Sequence, residues 1–187
     1  MTRILTTLAI LSLVQMQVAL LLGVFVGDLY RDPNADTLHT ATIHRLTGIA
    51  AALGVVFVES VVATYFIGTS RWCKEVSETY RLDMTRVQAS NRLKRRAFAV
   101  ALIGMLTVVG IIALGGAADP ATGRPNTQSW TIYHMSAAMI GFAVIAWTYF
   151  AAWQYVWQQN AIIQQIIAEV AKIRAERGLE PLTTAAK

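Results

Sequence analysis

Charge is scarce in this chain. Asp, Glu, Lys and Arg make up 14% of its 187 residues, against about 25% in an ordinary soluble domain. Hydrophobic residues make up 55%, so there is too little polarity for a disordered chain. The formal net charge of +5 is too diluted for a nucleic-acid-binding module, and no nucleic-acid partner is expected. A single cysteine excludes a disulfide scaffold and a cysteine-rich zinc or iron–sulfur site. Three histidines and eleven acids leave few side chains for chemistry. No Ser–His–Asp set, phosphate loop or carboxylate pair is present, which removes hydrolase and kinase chemistry of the soluble type.

What is present is long runs without charge. Ile4 to Gly27, Ala97 to Ala118 and Pro125 to Ala168 carry no Asp, Glu, Lys or Arg, and 40–70 is apolar apart from His44, Arg45 and Glu59. About 20 apolar residues cross a bilayer as a helix. The expected fold is therefore all-α: an integral membrane four-helix bundle in one domain, 1–187, with spans near 4–27, 41–68, 97–117 and 130–157. The first run is too long for a signal peptide, and no small-x-small cleavage site precedes Asp28, so it reads as an uncleaved anchor. No internal repeat is apparent.

The few charges set an orientation. The 28–39 loop holds Asp28, Asp32 and Asp36 against Arg31, whereas 71–96 holds eight basic residues against Glu75, Glu78 and Asp83. By the positive-inside rule the 71–96 end and both termini are cytoplasmic, as in a bacterial-type inner membrane protein. Trp130 at one end of the fourth span, and Trp72, Trp153 and Trp157 at the other level, fit aromatic belts. The basic excess also attracts anionic lipid. Two cytoplasmic amphipathic helices are expected, one near 71–95 that can run on from span two and one near 158–178 that continues span four as a single long helix. The second carries Ile163, Ile166, Ile167, Val170 and Ile173 and stops near Gly178 and Pro181. Its isoleucines need either the 71–95 helix or a neighbouring subunit as partner. Cys73 reads as incidental.

All three histidines lie toward the opposite, outer end. His44 and His134 each sit about one turn, roughly 6 Å, inside spans two and four. Two imidazoles at one depth on two helices of a bundle are suited to a b-type haem iron. Gly48 below His44, and Ala138 and Gly141 below His134, allow a flat ring to approach, and Arg45 at the edge suits a propionate. The alternatives stay open: interfacial histidines, plain helix packing, or a zinc or copper site that adds His39.

Ile43-His44-Arg45-Leu46-Thr47-Gly48 resembles the His-Arg motif that opens a helix in haem A synthases. Those proteins resemble two fused four-helix bundles with histidines on the second and fourth helix of each, and His44 and His134 match one such half. The resemblance implies a haem-binding bundle. The family's glutamate three positions before the histidine is Ala41 here.

Glu59 is the one acid within a span. It suits a proton path or quinone pocket, or alternatively a pair with Arg92, Arg95 or Arg96, or a bond to Gln15, Gln17 or Thr64. Gln15 or Gln17 is expected to bond another helix. The leading expectation is a membrane subunit that holds one b-type haem and passes electrons among other membrane subunits, with quinone as a possible acceptor. The others are a cofactor-free accessory subunit and a haem-handling enzyme or assembly factor.

Overall fold

The computed structural model describes residues 1–180, so Pro181 lies outside the described residues. Four helices make up nearly all of it: α1 (Thr2–Phe25), α2 (Ala35–Tyr80), α3 (Thr85–Ala118) and α4 (Thr131–Glu176). Each is long and apolar enough to cross a membrane, the pattern of a multi-pass membrane protein, and the described residues contain no strand. α2 and α4 run 46 residues each, about 70 Å at 1.5 Å per residue, and extend well beyond any bilayer core.

Local chemistry sets the helix ends. Asn34 accepts the Thr37 N–H and caps α2. The chain turns out of α3 through Asp119, whose carboxylate accepts the Ala121 N–H. It leaves α4 through Gly178 at φ +65, a conformation glycine adopts without a Cβ penalty.

The 71–95 segment is not one helix. Its first part is the last stretch of α2, and its second part opens α3. Between them Arg81 adopts a left-handed conformation at φ 56, and the Leu82 N–H bonds the Ser77 carbonyl, a Schellman-type stop. The apolar spacing runs on across this turn: Leu82 tucks inward beneath the end of α2 and Val87 is buried on α3. That continuity, with no glycine at the turn, makes the sequence read as unbroken. Beside the turn, Ile166 and Val170 of α4 are buried with Cys73 and Leu82, and Ile162, Ile163 and Ile173 pack around them. The isoleucine stripe is thus covered from within the chain. α1 has no counterpart to these extensions.

α1 packs on α2 and α4, and α3 likewise packs on α2 and α4, which also meet each other. Buried positions repeat across this ring. On α2 and α4 they pair Ala51 with Gly141, Val55 with Ile145, Val58 with Thr148, Glu59 with Tyr149, Val62 with Ala152 and Phe66 with Val156. Each pair is 90 residues apart. On α1 and α3, Leu5 pairs with Ala97, Ser12 with Gly104 and Met16 with Val108, 92 residues apart. The chain is therefore two hairpins related by an approximate two-fold, both running in the same direction, so that the axis lies along the bundle. The sequence hides this repeat because paired positions hold unlike residues and the two offsets differ by two.

Candidate functional site

At the end of the bundle away from the basic turn, all four helices line a cavity of about 410 Å³, within the range of small-molecule and cofactor sites. Most of its lining is aliphatic. Its few titratable side chains are His44, His134, Arg45, Tyr30 and Asp119. The sequence argument placed His44 and His134 at one depth on separate helices, and the fold brings them together with ring centres 6.2 Å apart and planes at 68°.

Each ring is held in the same way. The Nδ1 of His44 lies 2.9 Å from the Ala19 carbonyl of α1, and the Nδ1 of His134 lies 3.2 Å from the Ile111 carbonyl of α3. A carbonyl oxygen only accepts, so Nδ1–H is the donor in both bonds, and Nε2 is the nitrogen whose lone pair is free whenever a ring is neutral. A glycine one turn further along each of those helices makes room for the imidazole. A Cβ on Gly23 would stand 2.9 Å from His44 Cε1, and one on Gly115 would stand 3.0 Å from His134 Cε1. Gly23 and Gly115 also obey the 92-residue offset, so ring, carbonyl and glycine form one unit present twice.

Around the rings the wall is built of small residues. Gly48 and Ala138 both line the cavity, and a Cβ on Gly48 would meet nothing within 4 Å. Gly141 serves a different purpose from the one its spacing suggested. It is buried against Ile111 and Thr107 of α3 and does not line the cavity, so it is a helix-packing glycine. Arg45 stands at the mouth, but its guanidinium is already engaged: it donates to both carboxylate oxygens of Asp119, at 2.9 and 3.2 Å, and to Thr42. Beside it the Tyr30 hydroxyl donates to the Ala118 carbonyl, tying the first loop to the end of α3.

His39 is exposed in the first turn of α2 and is not part of the cavity wall. Among the described residues no three His, Cys, Asp or Glu side chains come close enough to hold a metal ion, so the three-imidazole zinc or copper site does not form. Two imidazoles alone suit an ion whose remaining positions are filled by a macrocycle. Ring centres 6.2 Å apart leave room for a single ion between them, so His44 and His134 would be the residues to hold a haem iron, which would supply one-electron chemistry there.

Glu59 lies fifteen residues further along α2 than His44, about 22 Å deeper, and outside the cavity wall. It is fully buried. Thr148 Oγ1 donates to its Oε1 at 2.8 Å, and its Oε2 has no partner. None of the expected partners, Arg92, Arg95, Arg96, Gln15, Gln17 or Thr64, bonds it. Among the described residues neither glutamine forms an interhelical hydrogen bond. That role falls to Ser12, whose hydroxyl bonds the Tyr149 phenol at 2.9 Å.

The sequence reading missed Gly23, Gly115, Asp119 and the two ring-holding carbonyls. Glycines at one depth near the outer ends of spans one and three were the available signal for the first two. Comparison with known protein families, with curated proteins and with solved structures finds no match to this chain.

Proposed function

We propose that this chain binds one b-type haem between His44 and His134, and that it passes electrons as a subunit of a larger redox complex in a bacterial-type inner membrane. The observation that carries this reading is the pair of imidazoles 6.2 Å apart, each held through Nδ1 by the backbone of a neighbouring helix. Haem bound there supplies reversible one-electron chemistry.

The protein's own residues do the rest. Ala19 and Ile111 fix the ring orientation and, as hydrogen-bond acceptors, raise ligand basicity. Aliphatic walls keep water from the metal and lower the local dielectric, one of the levers that set a redox potential. Arg45 offers a cation at the mouth, and Asp119 holds it in place until an incoming carboxylate competes for it. With the basic end cytoplasmic, the cavity lies near the outer leaflet, which suits an electron donor on that side and a quinone or neighbouring membrane subunit as acceptor.

The reduced-minus-oxidised visible spectrum of the purified protein tests this. A sharp b-type α band is expected, lost in both His44→Ala and His134→Ala. A colourless but fully helical preparation sinks the haem reading and leaves the cofactor-free accessory subunit in its place.

A further inference from the structure

A second concave site lies at the opposite end of the bundle. It is a groove of about 360 Å³ between the start of α3 and the middle of α4, lined by Arg92, Leu93, Arg96, Trp157, Gln158 and Ile162 among others. The two arginines stand one turn apart on one helical face. Arg92, Lys94, Arg95 and Arg96 are consecutive cations but for Leu93, and four acids of this end are paired with other cations. Glu75 pairs with Arg71, Glu78 with Lys74, Glu169 with Arg86 and Glu176 with Lys172. Among the described residues no carboxylate comes within ion-pair distance of those four cations.

Depth decides what such a groove faces. Arg96 immediately precedes the charge-free run that begins at Ala97, and Trp157 closes the apolar part of α4. An arginine pair and a tryptophan at the end of two spans lie at the headgroup level. Beyond the groove on the same two helix faces, Ile103 of α3 and Trp153 and Phe150 of α4 are exposed, as an apolar track into the bilayer.

We infer that this groove binds the headgroup of an anionic phospholipid. Arg92 and Arg96 hold the phosphate through charge-assisted, fork-shaped hydrogen bonds. Trp157 and Gln158 flank the headgroup, and the acyl chains run along Ile103, Trp153 and Phe150. Basic pockets between helices on the cytoplasmic side bind anionic headgroups in this manner. The site is independent of the haem proposal and stands whether or not the histidine cavity is loaded.

The test reconstitutes the full chain in bilayers of phosphatidylcholine and phosphatidylglycerol, extracts it gently, and counts retained lipid by native mass spectrometry. The wild type is expected to keep phosphatidylglycerol in preference to phosphatidylcholine. Arg92→Gln with Arg96→Gln should weaken that preference roughly tenfold or more. Lys94→Gln with Arg95→Gln removes the same charge from outside the groove lining and should leave the preference within about twofold. Arg92→Lys with Arg96→Lys keeps the charge, loses the fork, and should fall between; it also carries the test if the glutamine pair does not fold. Equal loss in both glutamine pairs overturns the site in favour of diffuse surface attraction. Absence of any preference in the wild type overturns it too, as does displacement of the retained lipid by inorganic phosphate alone.

Discussion

Gly104 of α3 leaves the space that the Glu59 carboxyl of α2 occupies: a Cβ built on Gly104 would overlap Glu59 Oε1 and stand 3.2 Å from Thr148 Oγ1. The acid therefore sits inside the helix packing, against backbone, with one threonine as its hydrogen-bond partner. The equivalent pair in the other half is Ser12 and Tyr149, which fill the same position with a hydroxyl-to-phenol bond.

Gly104→Ala should destabilise the protein by about 1–3 kcal/mol, the usual cost of overpacking a core. Glu59→Ala should relieve part of that loss, so a double-mutant cycle read by unfolding in one detergent should be non-additive. Additive losses would show that the two positions do not share the space. Glu59→Gln keeps an oxygen acceptor for Thr148 and should leave stability nearly unchanged.

Gly23→Ala and Gly115→Ala each place a methyl group against a histidine ring, 2.9 and 3.0 Å from Cε1. Each should cost about 1–3 kcal/mol. Because the two units are equivalent, each should also, if haem is bound as proposed, shift its spectrum and weaken its retention to a similar degree. A spectrum unchanged in either variant would count against ligation by that ring.

Ile166 is 0% exposed within the cluster formed with Cys73, Leu82 and Val170. Ile166→Ala should cost about 2–5 kcal/mol without changing the oligomeric state by size-exclusion chromatography. Loss of a dimer with little change in unfolding would mean that the stripe faces another subunit.

Asp83 begins the turn into α3. Its carboxylate accepts both the N–H and the hydroxyl of Thr85, and these bonds hold its pKa below the usual carboxylate value. A depressed folded-state pKa gives stability that is present above the unfolded value, about 4, and lost as pH falls through the folded value. The unfolding midpoint of Asp83→Ala should therefore lie below that of the wild type at neutral pH, with the gap closing in more acidic buffer. A gap that is constant with pH would show that the carboxylate charge contributes nothing there.

Much of the scaffold was legible because charge is excluded from spans, and sixteen basic residues among 187 are few enough to map. The depth of His44 and His134 was legible for the same reason, since helical rise converts sequence position into height. What faces each side chain was not. Asp119 reaches Arg45, 74 residues away in sequence, from the point where α3 ends beside the start of α2. Thr148 reaches Glu59 because the relative rotation of α2 and α4 brings those two positions together. Rotation about a helix axis is fixed by packing across the whole bundle, and no local pattern encodes it. The turn at Arg81 escaped notice because its left-handed residue is an arginine, where glycine is the usual signal.

The two-fold arrangement also fixes an order of events. One imidazole belongs to the first hairpin, α1 with α2, and its counterpart to α4, which follows α3 along the chain. Since the chain is synthesised from its N-terminus, His44 and Ala19 can find each other early. The opposing ring arrives only with α4, after α1, α2 and α3 have been made. A prosthetic group held by both rings, as proposed, would therefore wait until α4 stands against the first hairpin.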